Sequence, residues 1–272
     1  MPSPNAISPE KLARLVGTPG CPVIVDVGSP PGGSIPASVR RTAEEVARWA
    51  PDLRGRPAVV VCAHGGEKSA GAAAWLRHAG AVAEMLEGGA AAWAAAGLPM
   101  LAEDRLPERD AEGRTIWVTR ARPKVDRIAC PWLIRRFVDS EAVFLFVAPA
   151  EVAGVAERFG AAPFDVEGAY WSHRGELCTF DMMVEELGLG GFEGLARLAP
   201  IVRGADTARP DLAPQAAGLL AASLGLSRLF ADDLEQLDAG MTLYDALYRW
   251  CRDAVDETHD WVSHTPKRKD GR

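Results

Sequence analysis

The sequence predicts two folded units. The first is an α/β domain with a parallel sheet flanked by helices, residues 1–101. The second is a mostly helical α+β domain, residues 115–264. Three observations lead there. Short β-branched runs alternate with helical segments through the first hundred residues. A charged, non-periodic stretch at 102–114 reads as a linker. Beyond it, strand signals give way to amphipathic helical periodicity. The length of 272 residues suits two cores.

Composition narrows the function classes. Apolar residues make up 48% and charged residues 25%, as in ordinary globular domains. The net charge of −7 argues against nucleic acid or anionic membrane as partners. No apolar run reaches transmembrane length, and residues 1–5 lack the features of a signal peptide. Cys21, Cys62, Cys130, Cys178 and Cys251 are scattered and odd in number. Reduced thiols in the cytoplasm are the expectation.

The first half reads in order. Ser8 can cap a helix over 8–16, with Pro9 at its first position and Leu12, Leu15 and Val16 facing inward. Pro22 to Val27 is a buried strand, followed by a Gly/Pro-rich loop. Glu44 to Trp49 looks helical. Ala58 to Val61 is the next strand, Ser69 to His78 a helix stopped by Gly80, and Val82 to Leu86 a strand. Glu87-Gly88-Gly89 turns into a helix over 90–96.

Between Val61 and the helix stands Cys62-Ala63-His64-Gly65-Gly66-Glu67-Lys68-Ser69. A cysteine at the floor of such a loop faces backbone N–H groups and the positive end of a helix dipole. That setting favours a thiolate and can hold an anion beside it. The alternative is a buried strand-end cysteine before a turn. Lys68 can attract an anionic donor. His64 is either a polar loop residue or a group that tunes Cys62, and Glu67 is expected to face outward.

Residues 7–101 resemble a rhodanese domain. The match rests on Val25-Asp26-Val27 with Ser34-Ile35-Pro36-Ala37, on Cys62-Ala63-His64-Gly65, and on Leu86-Glu87-Gly88-Gly89 with Trp93 and Gly97-Leu98-Pro99. The resemblance implies that Cys62 forms a persulfide and passes its sulfur from a small-molecule donor to a thiol acceptor, with no cofactor. Residues 63–69 would hold the charge. Two departures stand out. Gly28 replaces the arginine usual after Asp-Val, and the stretch from Cys62 to Ala70 looks one residue longer than in common single-domain rhodaneses, resembling members that accept a larger oxyanion.

In the second half, Thr115 to Thr119 and Ala142 to Val147 read as strands. Asp126 can cap a helix burying Ile128, Trp132, Leu133 and Phe137, although Pro131 interrupts its pattern. Glu151 to Phe159 is helical. Gly168 to Asp181 looks like a strand, tight turn and strand, with Thr179 capping the next helix. Further helices are expected over 195–202, 212–238 and 242–259, and a disordered basic tail over 265–272.

This half resembles the C-terminal domain of the chromate-resistance protein B family. Four motifs carry the match: Val125 to Phe137, Pro163-Phe164-Asp165-Val166, Ser172 to Asp181, and Ile201 to Thr207. The resemblance implies a cytoplasmic protein of chromate, metal or oxidative-stress tolerance. His173, Glu176, Asp181 and Asp206 have ligand chemistry suited to iron, manganese or zinc. Their spacing matches no well-known metal motif, and Asp206 can equally cap a turn. Seven basic residues lie between Arg114 and Arg136. They form either a solvated face or an oxyanion pocket for a species such as chromate, with Arg127, Arg135 and a reactive Cys130. Cys130 can equally be a buried thiol against Trp132. The sequence thus supports a cytoplasmic sulfurtransferase fused to a chromate-resistance domain, serving detoxification. Two rivals stand beside it: a metal-dependent redox enzyme acting on chromate or superoxide, and a non-catalytic sensor of chromate or sulfur. Oligomeric state is not legible.

Overall fold

The computed structural model describes residues 5–29 and 33–259. Its first half is a five-stranded parallel sheet. The elements are β1 (Ala6–Ile7), α1 (Pro9–Ala13), β2 (Val23–Asp26), β3 (Ser38–Arg40), α2 (Val46–Trp49), β4 (Pro57–Val61), α3 (Glu67–His78), β5 (Val82–Leu86) and α4 (Gly89–Ala95). The strand order is β1-β5-β4-β2-β3. Val25 pairs with Val60 across the two central strands. These strands are buried on both faces, which is why they read as unbroken β-branched runs. Helix α1 is capped by Ser8, whose Oγ accepts from Lys11 N at 3.4 Å.

The second half opens as a β–α–β–α–β unit: β6 (Ile116–Arg120), α5 (Asp126–Phe137), β7 (Val143–Val147), α6 (Val152–Phe159) and β8 (Ala162–Pro163). Both strand pairings are parallel, in the order β7-β6-β8. Four helices follow: α7 (Thr179–Glu186), α8 (Glu193–Asp206), α9 (Ala216–Leu229) and α10 (Asp233–Asp253). Pro131 sits inside α5 and costs one backbone hydrogen bond. The helix persists because eight side chains from Ile128 to Phe137 are buried along it.

Several expectations are corrected. The segment around His173 forms no strand pair: only the turn is present, where Arg174 and Leu177 exchange backbone hydrogen bonds around Gly175 at φ 61°. The helical stretch expected over 212–238 breaks at Phe230–Asp232. Asp232 accepts from Leu234 N and Glu235 N at 2.9 Å and starts α10, which runs unbroken through the expected gap at 239–241. Helix α3 begins at Glu67, two residues sooner than expected. The expected tail at 265–272 lies outside the described residues.

One apolar core runs through both halves. It joins Leu12, Val16, Leu86 and Trp93 to Trp117, Trp132, Phe137 and Tyr248. Phe137 is the pivot, with no exposed surface. Its ring lies so close to Gly17 that a Cβ there would meet Phe137 Cζ at 2.2 Å. Its carbonyl accepts from Ala37 N at 2.6 Å. Residues 102–114 also pack closely. Ala102 N donates to Leu187 O, and Arg109 pairs with Asp139 at 3.3 Å.

Candidate functional site

Cys62 lies one residue beyond β4, at the carboxyl end of the parallel sheet, where such folds place their ligands. Its loop is held from outside. Ala90 N, in the first turn of α4, donates to Cys62 O at 3.0 Å, and Ala91 N donates to Ala63 O at 2.9 Å. With those carbonyls tied outward, the loop's N–H groups remain for the sulfur. The close approach needs glycine on both sides. A Cβ on Gly89, at φ 62°, would stand 2.2 Å from Cys62 O, and one on Gly65, at φ 68°, 2.8 Å from Gly88 N.

Cys62 is 5% exposed. Burial pushes its thiol up. Hydrogen bonds from the Ser69 hydroxyl and from the backbone of Ser69, Gly66 and His64 outweigh that, so the net shift is downward. Ser69 Oγ sits 3.2 Å from Cys62 Sγ. A thiol donates to this hydroxyl; a thiolate accepts from it. The loop proper is Ala63, His64, Gly65 and Gly66, with Glu67 and Lys68 in the first turn of α3. His64 and Glu67 are exposed. The Lys68 side chain lies along Gly28, its Nζ 3.8 Å from where a Cβ would be. Asp26 fixes the neighbouring loop by accepting from Gly28 N and Ser29 N at 3.0 and 2.8 Å.

A second cluster forms where α5, α7, α8 and the His173 turn meet. His173 Nε2 lies 3.2 Å from Asp206 Oδ2, 3.3 Å from Asp165 Oδ1 and 3.7 Å from Asp126 Oδ2. One ligand atom each from Asp126, His173 and Asp206 falls within 4.8 Å of the others, a group that could hold a metal ion. Asp126 does not cap its own helix. Its Oδ2 accepts from Thr179 N at 2.6 Å and Phe180 N at 3.3 Å, and so caps α7 from across the domain. Its Oδ1 is buried and accepts no hydrogen bond. Burial, then the charges of Asp206 and Asp165, push this carboxyl well above the ordinary range. Burial and Asp165 push Asp206 up as well. The backbone is strained beside two of these aspartates, with Val125 at φ 36° and Asp165 at φ 50°.

Most of the other residues singled out from sequence stand apart from this cluster. Glu176 is at the exposed turn and pairs with Arg209 at 3.4 Å. Asp181 accepts from Cys178 N at 3.1 Å, completing the α7 cap, and faces Arg203 at 3.5 Å. Thr179 does not cap α7; its hydroxyl donates to Asp165 Oδ1 at 3.0 Å. Arg135 pairs with Asp238 at 3.3 Å. Cys130 is fully buried, and burial followed by the Asp126 and Asp165 charges pushes its thiol well up, so it is no ready thiolate. Arg127 does reach the cluster, through Asp165 at 3.3 Å. Sequence reasoning missed Asp165, Arg120 and the ligand role open to Asp126.

The comparisons with known proteins fall on the same two halves. Residues 8–96 match the rhodanese-like domain family, and residues 117–251 match the family described as ChrB, C-terminal domain. The chain thus joins a region that matches the rhodanese-like domain family to one that matches the ChrB C-terminal domain family. Protein ChrB of Cupriavidus metallidurans is 34% identical over 146 residues, which is 53% of this chain and 43% of that protein. The chain thus spans less than half the length of this curated relative. A rhodanese-related protein from Thermoplasma volcanium is 28% identical, covering 36% of this chain and 99% of that one, with a TM-score of 0.33. A Rhodopseudomonas palustris protein described as a possible tyrosine phosphatase is 27% identical over 35% of this chain and 83% of its own, with a TM-score of 0.31. No helix among the described residues is long and apolar enough to cross a membrane.

Proposed function

We propose that the chain is a cytoplasmic sulfurtransferase acting through Cys62, in the detoxification of metal oxyanions such as chromate or of oxidants. The observation that carries this reading is the thiolate-stabilising cradle: a lowered thiol, Ser69 Oγ at 3.2 Å, and glycines that let α4 hold the loop. In the first step the Cys62 thiolate attacks the outer sulfur of a small sulfane-sulfur donor. A sulfur–sulfur bond forms on Cys62, and the donor leaves with the electron pair of the bond that breaks. In the second, a thiolate acceptor attacks the outer sulfur and Cys62 departs as the thiolate. The loop N–H groups hold the charge at both stages, and Lys68 draws the anionic donor. The test is turnover with thiosulfate as donor and cyanide or a thiol as acceptor. Cys62→Ala should abolish it in a folded protein; wild-type turnover in that variant would remove the assignment.

For the second domain we propose a divalent metal, iron, manganese or zinc, held by Asp126, His173 and Asp206. The support is the orphaned Oδ1 of buried Asp126 beside an imidazole and two further carboxylates. Carboxylate and imidazole donors suit these ions. A bound ion would supply the positive centre that the converging carboxylates lack. Metal analysis of the purified full chain tests this: about one ion per chain is expected, lost in His173→Ala. A folded wild-type chain that takes up none would contradict it.

A further inference from the structure

Three protein donors leave a metal with open positions, as in sites that bind exchangeable ligands. A cavity of about 490 Å³ opens beside His173. Arg120, Asp165, Glu167, Gly168 and Ser172 also line it. Two arginines converge on Asp165, the carboxylate next to the cluster. Arg120 Nη2 donates to Asp165 O at 3.0 Å and to its Oδ2 at 3.2 Å. Arg127 Nε lies 3.3 Å from the same Oδ2, outside hydrogen-bonding alignment. The Nε groups of both arginines are buried and donate to no protein acceptor. Unspent guanidinium donors in a buried setting cost free energy unless a ligand uses them.

The charge balance points the same way. With a bound ion holding its ligands deprotonated, Asp126, Asp165 and Asp206 bring three negative charges, and the two arginines bring two positive ones. A divalent ion turns this deficit into a net positive charge of one, since an imidazole ligand adds no charge. Glu167 offsets it only from the exposed rim, through water. Guanidinium forks suit tetrahedral oxyanions.

We infer that the His173 centre takes a small inorganic oxyanion as an exchangeable ligand, shared between the metal and the Arg120–Arg127 pair. This rests on the metal reading above. It divides the basic run between Arg114 and Arg136: Arg120 and Arg127, which meet at Asp165, serve the anion, while Arg135 and Arg136 pair with Asp238 and Asp245 away from the centre.

The test uses the full chain loaded with Co²⁺ as a spectroscopic probe and sulfate as the anion. Sulfate should change the visible Co²⁺ spectrum and tighten Co²⁺ binding about fivefold or more. By linkage, Co²⁺ should tighten sulfate binding by the same factor. Arg120→Gln should keep Co²⁺ binding and lose the sulfate effect, and Arg120→Lys should restore part of it. Failure to bind Co²⁺ in a folded chain overturns the metal reading itself. Co²⁺ binding indifferent to sulfate overturns this inference alone. An undiminished sulfate effect in Arg120→Gln overturns the assignment to the arginines.

Discussion

Gly89→Ala is the sharpest perturbation of the cysteine cradle, because it alters no side chain that meets the sulfur and acts on the loop N–H groups only by displacing their backbone. The new Cβ would stand 2.2 Å from Cys62 O, 2.5 Å from Gly65 N and 2.8 Å from His64 N. Packed carbon atoms sit about 3.5–4.0 Å apart, so the loop must withdraw by roughly an ångström. Alanine at φ 62° adds about 1–2 kcal/mol. Losing the Ala90 N to Cys62 O hydrogen bond adds about 1 kcal/mol. Together these predict a loss of about 2–3 kcal/mol, or a Tm lower by about 5–10 °C. Displacement on this scale should lower turnover about 10²-fold. It should also shift the half-point of Cys62 alkylation to higher pH, since the N–H groups of the loop move with its backbone. Thermal melting, thiosulfate turnover and alkylation rate against pH read the three effects. A folded Gly89→Ala variant with wild-type turnover and an unmoved alkylation profile would refute the claim that this cradle activates Cys62.

Further outcomes follow from the same geometry. Ser69→Ala should slow Cys62 alkylation at neutral pH severalfold and raise its half-point, because the hydroxyl 3.2 Å from the sulfur lowers the thiol. A thiol lowered in the folded state stabilises the fold above its unfolded pKa, and that contribution is lost as pH falls through the folded value. Urea titrations of wild type against Cys62→Ala should therefore diverge as pH rises across that window. In the native chain Cys130 and Cys178 should resist alkylation until unfolding, as both are fully buried and burial raises both thiols; mass mapping of labelled cysteines reads this. Glu176→Gln should leave metal uptake unchanged, measured by equilibrium dialysis, since its side chain points to solvent and Arg209. Phe137→Ala should cost about 3–5 kcal/mol by denaturant titration, because its ring fills the seam against Gly17 and Tyr248.

The sequence reveals what is local and misses what is assembled across distance. Strands β2 and β4 were legible because both their faces are buried. Strands β1 and β3 were not. They are the two edges of the sheet, two and three residues long, and carry no apolar run of their own. The cysteine loop could be read because its parts are contiguous or carried by the Glu87-Gly88-Gly89 turn. At the second site, His173 and Asp206 were legible as ligand types. Asp126 looked like the cap of its own helix, whereas it caps one that starts 53 residues later. Asp165 lies within the Pro-Phe-Asp-Val motif and drew no attention, because its role depends on Arg120 from the end of β6 and Arg127 from α5 reaching it. Glu176 was close in number to His173, but the Arg174–Leu177 turn sends it outward.

In the proposed reaction Cys62 carries the sulfur between donor and acceptor. Intact-mass measurement of the full chain after exposure to thiosulfate tests it most directly. A gain of one sulfur atom is expected, mapped to Cys62, removed by cyanide and absent from Cys62→Ser. A chain that stays unmodified, or that carries the added sulfur on another cysteine, would contradict it.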